Sequence, residues 1–210
     1  FTYDKEDLFF GFNASIFETL NESYNDKYEY IFPEVTIDKH LLSSEKFGNL
    51  DLQSNFKVHN YDTNKQSSFF NNEINWASND LILNSVIKNK FLGKLKNINY
   101  ESRNIDIYKD DYTSELFGAA GLLSEIELQK KEGDTTHLLT PKLLLRLAPG
   151  SMRKEDGGAR LTYIDAFNFD RVEEYNNFET GNSATFGLDF DIKKGNLDKF
   201  NFSVAQIINE

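Results

Sequence analysis

The chain has no cysteine, one methionine, one tryptophan and three prolines in 210 residues. Without cysteine, disulfides, thiol nucleophiles and thiolate metal sites are excluded for this stretch. The scarcity of proline removes an obstacle to long β-ladders, because each proline deletes a ladder donor. No run approaches the roughly 18–20 consecutive apolar residues that a membrane-crossing helix needs. Cations are in deficit, with 23 Lys and Arg against 34 Asp and Glu and a net charge of -11. That balance excludes a sequence-independent nucleic-acid binder, whose grip depends on clustered positive charge.

What the chain does have is aromatic residues, 19 Phe and 10 Tyr, in a sequence of mean hydropathy -0.55. So many rings are out of place in a disordered acidic chain. The combination predicts a folded chain that puts its apolar groups on one side of a sheet only.

Period-two alternation is the dominant pattern. In Gly48–His59, Leu50, Leu52, Phe56 and Val58 fall on one face, with Asp51, Gln53, Asn55, Lys57 and His59 on the other. A helix would scatter both sets around its circumference, whereas a strand separates them. The same split recurs at Leu8–Ile16, Leu116–Leu128, Leu139–Leu147, Ala184–Ile192 and Phe200–Val204. Further strands are expected over Tyr28–Asp38, Phe69–Ser78, Leu81–Leu92 and Leu95–Ile107. Many of these approach the ~9–11 residues that a tilted strand needs to cross hydrocarbon, and exceed the ~5–6 common in globular sheets. The linkers are of two kinds, short ones such as Ser78–Asp80 and long charged ones at Asp38–Phe47, Tyr108–Glu115 and Pro149–Thr180. Short turns on one side and longer loops on the other are typical of membrane barrels. The expected fold is all-β, an antiparallel up-and-down transmembrane β-barrel, here an open segment of about ten strands. Residues 1–210 read as part of one outer-membrane barrel domain, incomplete at both ends.

Candidate chemistry is sparse. His40, His59 and His137 lie far apart in sequence, unlike the tight spacing of zinc sites. The acidic group Asp106, Asp110, Asp111 and Glu115 lacks the alternating ligands and turn glycine of a calcium loop. Gly181–Gly187 is not a nucleophile elbow, and no phosphate-cradling glycine motif occurs. No catalytic, cofactor-binding or metal-binding residue is assigned, and no cofactor is expected. Asn55, Lys57, Ser183, Thr185, Asp189 and Asp191 are candidates for a hydrated inner face. Lys88, Lys90, Lys94 and Lys96 share strand parity. They are either a cationic row able to contact anionic groups of a glycolipid or a solvated face crossing a tight turn near Gly93.

Four segments carry a family resemblance: His137–Pro149 (HLLTPKLLLRLAP), Phe169–Val172 (FDRV), Gly181–Leu188 (GNSATFGL) and Lys199–Ile207 (KFNFSVAQI). In order and spacing they resemble the C-terminal barrel domain of the LptD/OstA family of lipopolysaccharide-assembly outer-membrane proteins. The likeness is looser at Tyr30–Val35 and Thr113–Gly118. Pro141, Asp170, Arg171, Gly181, Asn182 and Gln206 are the motif positions, with Asp170 and Arg171 expected to organise the long loop through an ion pair or hydrogen bond. The resemblance implies a bacterial outer-membrane location and a non-enzymatic transport barrel that inserts lipopolysaccharide into the outer leaflet. It also implies a plug lipoprotein, LptE, and a periplasmic Lpt bridge as partners, with outer-membrane lipid around the barrel. A porin-like channel, an outer-membrane enzyme barrel and a soluble carbohydrate-binding sheet are the alternatives.

Overall fold

The computed structural model describes all residues except 21–24, 85, 154–159, 173 and 196. Its strands are β1 (Thr2–Lys5), β2 (Leu8–Glu18), β3 (Tyr28–Ser44), β4 (Gly48–Tyr61), β5 (Gln66–Ala77), β6 (Leu81–Leu83), β7 (Ile87–Arg103), β8 (Thr113–Ile126), β9 (Leu128–Glu132), β10 (Thr135–Ala148), β11 (Gly181–Lys194) and β12 (Leu197–Asn209). All belong to one antiparallel sheet in the order β1-β2-β3-β4-β5-β7-β8-β10-β11-β12, with β6 beside β7 and β9 beside β10. β1 and β12 do not pair with each other, so the sheet is open.

The two short extra strands are continuations of longer ones. β9 keeps the register of β8 along β10, since Lys142 faces Glu125 and Leu139 faces Leu128. The break between them falls opposite Thr140–Pro141, where the Pro141 nitrogen has no proton to give the ladder. β6 carries on from β5 along β7 with the register moved by one residue, since Ala77 faces Leu92 and Leu81 faces Asn89. The path therefore consists of ten strand lines.

Several strands run further than alternation alone predicts. The charged stretch after Asp38 is not a long loop, because β3 continues to Ser44 and only 45–47 turn. There is no turn at Gly93 either; β7 is a single 17-residue strand that passes through it. Trp76 lies over Gly93, and a Cβ there would meet its Cε3 at 3.3 Å, so the indole fills the space a side chain would occupy. Ser78–Asp80 is the kink between β5 and β6 rather than a hairpin turn.

Linker lengths differ sharply between the two rims. One rim carries 6–7, 45–47, 84–86, 133–134 and 195–196, and the other carries 19–27, 62–65, 104–112 and 149–180.

The two faces differ just as sharply. Phe91, Phe186, Phe200 and Phe202 are all 45–50% exposed, whereas Lys96 and Arg146 are 1% and 4% exposed. This inverts the usual placement of hydrophobic and charged residues. The apolar face also has a distinctive outline. Along one ladder rung, Phe12, Val35, Phe56 and Phe70 are apolar across β2–β5, and the same rung becomes Asn99 and Ser114 on β7 and β8. Several rungs away, Leu128, Leu139, Phe190 and Phe202 form the apolar row on β9–β12. The apolar band thus crosses the sheet obliquely, shifting roughly 1–2 residues per strand, which at ~3.4 Å rise and ~4.8 Å spacing is a tilt of about 45°.

Candidate functional site

The polar face is the chemically varied one, and described residues of the long linker 149–180, from Phe167 to Glu179, fold back onto it. Sequence alternation leaves this segment as a polar loop between strands. Its aromatic residues instead reach into the sheet. Phe178 is fully buried, stacks on Phe117 at 5.7 Å and packs with Ala119 and Ala148. Tyr175 meets Phe69 edge-on at 5.0 Å, in a cluster with Ile98, Tyr100 and Tyr108. Phe169 and Phe167 lie against Gly121 and Gly187 on β8 and β11. A Cβ on Gly121 would sit 2.5 Å from the Phe169 ring, and one on Gly187 would sit 2.7 Å from Phe167 Cε2. These two glycines let rings approach the sheet backbone closely, a use of glycine that depends on its missing side chain. The docking ground was detectable in the sequence: Phe69, Ile98, Tyr100 and Phe117 are apolar residues with the parity of the wet face.

Charged contacts surround this apolar patch. Lys96 Nζ lies 3.0 Å from Glu73 and 3.8 Å from Asp170, and Lys94 Nζ lies 2.7 Å and 4.0 Å from the same two carboxylates. Two cations thus face two anions, which offsets the large cost of removing each from water. Lys96 also donates to the Glu174 carbonyl of the linker. Arg146 donates to the carbonyls of Phe169, Glu179 and Gly181, so one guanidinium ties both ends of the docked segment. Arg171 forms a forked pair with Glu179, with Nε 2.9 and 2.8 Å from its two oxygens. Burial works to raise the Glu179 carboxyl, but the hydrogen bonds and charge of Arg171, with Arg146, outweigh it and hold the group below its ordinary value of 4.5. Asp170 Oδ1 accepts the Glu179 backbone N–H at 3.1 Å. Asp170 and Arg171 therefore both organise the linker, each through Glu179. Arg153 binds Glu115 and lies 5.0 and 5.2 Å from the Tyr100 and Tyr108 ring centroids.

The lysine row points to the polar face along its whole length, and every member has a carboxylate partner. Lys88 pairs with Glu127 at 3.4 Å and Lys90 with Asp80 at 3.3 Å, in addition to the two buried lysines. Asn55, Lys57, Ser183, Thr185, Asp189 and Asp191 lie on this same face. Asn55 accepts from Thr36, Lys57 pairs with Glu34 at 3.4 Å, and Asp189 pairs with Lys142 at 2.7 Å. Asp191 accepts from Asn201, and Ser183 accepts from Arg171 at 3.2 Å. Thr185 is buried beneath the linker. The remaining motif positions are spread out. Pro141 faces Leu188 on the apolar side, and Gly181 begins β11 at φ 105°. Asn182 binds Glu210, and Gln206 faces Phe186.

The histidines stay apart. His40 Nδ1 is 2.6 Å from Asp51, His59 Nδ1 is 2.6 Å from Glu29, and His137 stacks on Phe190 at 6.3 Å. Among the described residues no group of three or more His, Cys, Asp or Glu side chains converges as a metal site would require. No described helix is long and apolar enough to cross a membrane, which leaves crossing by strands open. The arrangement therefore offers a polar wall crossed by ion pairs and a bare apolar wall. Neither the models of known protein families nor the curated proteins contain a match to this chain.

Proposed function

We propose that the chain is a segment of an outer-membrane β-barrel whose apolar face meets lipid and whose polar face lines the interior. The observation that carries this reading is the inverted burial, with Phe and Leu bare outside and Lys, Arg, Glu and Asp enclosed inside. The oblique band adds to it, because strands of membrane barrels tilt about 35–45° and a flat lipid slab would draw such a stripe across them. Aromatic groups mark both edges of the band. At the short-turn rim the Trp76 indole N–H donates to the Phe47 carbonyl at 2.7 Å, and at the opposite rim lie Tyr28 and Tyr30. Outward-facing polar side chains pair with each other, Ser54 with Asn72 and Ser124 with Asn89, each at 2.7 Å. Such pairing satisfies groups that hydrocarbon cannot.

Within that class, we infer that the barrel carries lipopolysaccharide to the outer leaflet as part of the LptD/OstA system. The order and spacing of the motifs over residues 137–209 support this, together with the polar, ion-paired inner wall. LptE and the periplasmic Lpt bridge are the partners this reading entails.

Trp76 supplies a direct test, being the only tryptophan and lying on the apolar face. Brominated acyl chains should quench its fluorescence in folded, vesicle-bound protein. A monomer soluble without detergent, with Trp76 unquenched by such vesicles, would overturn the barrel. Photoreactive residues at Asn201 and Gln53 on the polar face should form lipopolysaccharide adducts in cells. Their absence at both positions would overturn the transport assignment while leaving the barrel in place.

A further inference from the structure

A second feature of the polar face lies beside the docked linker. Glu34, Asn55, Lys57, Asn71, Glu174 and Tyr175 enclose a cavity of about 230 Å³. Its floor is Asn71, only 2% exposed. The Asn71 amide N–H donates to the Tyr175 carbonyl, which fixes the side chain and leaves Oδ1 buried without a hydrogen-bond partner. An acceptor in that state is costly unless something donates to it. Asn55 is the cross-strand partner of Asn71, and its Oδ1 already accepts from Thr36 at 2.9 Å, so its amide N–H groups are what it offers. Lys57 is held 3.4 Å from Glu34 and 4.9 Å from the Tyr175 ring centroid, and it adds a cationic donor.

The donor and acceptor set defines the ligand chemistry. Asn55 and Lys57 donate, while Asn71 Oδ1, Glu34 and Glu174 accept. Two carboxylates against one ammonium leave the cavity net negative, which disfavours phosphate and carboxylate ligands. A hydroxyl group donates and accepts at once, so a ligand with several hydroxyls answers both sets. Neither the Lys88–Lys96 row nor the buried ion pairs border this space.

We propose that the cavity bounded by Asn55, Lys57, Asn71 and Glu174 is a binding site for a neutral, polyhydroxylated ring, a single uncharged sugar unit. The proposal rests on the reading of this face as the wet wall of a glycolipid conduit for the source of that sugar, but its geometry stands apart from what covers the apolar face.

The full chain folded in detergent micelles, titrated with galactose and separately with inorganic phosphate, tests it by NMR of the asparagine side-chain amides. Galactose should give saturable shifts at Asn55 and Asn71, and phosphate should give none. Glu174→Ala should weaken galactose at least fivefold; Glu174 contacts Lys96 through its backbone carbonyl, which the substitution keeps, so linker protection from hydrogen exchange should be unchanged. Asn71→Ala should abolish the response. Equal shifts with phosphate, no saturable response to galactose, or a Glu174→Ala variant that binds galactose undiminished would each overturn the site. If Trp76 is quenched by lipid while galactose fails, the sugar site falls and the barrel stands. If galactose binds but Trp76 remains unquenched, the site stands and the membrane reading falls.

Discussion

Truncating Phe178 to alanine isolates what the docked linker contributes. The ring is fully buried against Phe117, Ala119 and Ala148, with the Arg146 guanidinium 5.7 Å from its centroid. Replacing a buried phenylalanine by alanine costs about 3–5 kcal/mol from lost burial and the cavity left behind. The loss falls on linker docking rather than on the sheet, because the strand ladders on either side stay paired without Phe178. At about 1.4 kcal/mol per factor of ten, the undocked population should rise by roughly two to three and a half orders of magnitude. Trypsin cleavage after Arg171 reads that population when closing is fast relative to cutting. Phe178→Ala should therefore speed cleavage at Arg171 at least a hundredfold, while exchange protection of β7, β8 and β10 amides stays as it was. A rise below threefold, or loss of strand protection in parallel with loop cleavage, would refute a separately docking linker.

Three further substitutions probe other parts of the same arrangement. Lys96→Met leaves Glu73 and Asp170 facing Lys94 alone; breaking a buried pair costs about 3–5 kcal/mol, and adding Asp170→Asn should recover most of the loss in a chemical denaturation series. Glu179 is held below its ordinary value of 4.5, so its contribution is fully present above that value and is lost as pH falls through the lowered folded value. Linker exchange protection, corrected for intrinsic rates, should be flat above 4.5 and fall below it, and Glu179→Gln should remove the dependence. Phe186→Lys on the apolar face should reduce folding into vesicles by about 2–4 kcal/mol, whereas Asn201→Lys on the polar face should change it by less than about 0.5 kcal/mol. Equal effects of the two lysines would contradict a lipid-facing side.

The strands were legible in the sequence because side-chain parity is a local property, and Leu50, Leu52, Phe56 and Val58 need no distant partner to declare their face. Ends were harder to place. The Asp38–Ser44 stretch is polar enough to read as a loop, yet its backbone is held by pairing to β4, including His40 opposite Asp51. Gly93 reads as a turn, yet Trp76 on the neighbouring strand covers it. Both cases depend on a residue across the ladder, which periodicity does not see. The docked linker depends on contacts still further apart in sequence, such as Asn71 with Tyr175 and Tyr108 with Asn176. Its trace was the group of wet-face aromatics, which alternation counts as exceptions and packing explains as a landing site. The lysine row shows the opposite limit: parity placed all four side chains together, but their carboxylate partners come from β5, the kink at Asp80, the β8–β9 junction and the linker.

On the proposed membrane reading a lipid slab draws the oblique band, and a protein covering the same face would be expected to leave a different outline. A partner sheet or helix follows the shape of its own surface, whereas a slab imposes one height on every strand. Leu50, Trp76, Gly93, Ala120 and Leu147 share a single ladder rung. On β4 that rung lies toward the short-turn edge of the apolar band, and on β10 it lies toward the long-loop edge. Leu52 and Leu143 are six rungs apart over the four steps from β4 to β10, in keeping with the slope of the band. In a Trp76→Phe background, single tryptophans at Leu50 and Leu147 should therefore sit in opposite leaflets when depth is read with acyl chains brominated at two positions. Tryptophans at Leu52 and Leu143 should sit at similar depth. The same depth at Leu50 and Leu147 would mean that the strands are not tilted in lipid, and the slab would then have no part in drawing the band.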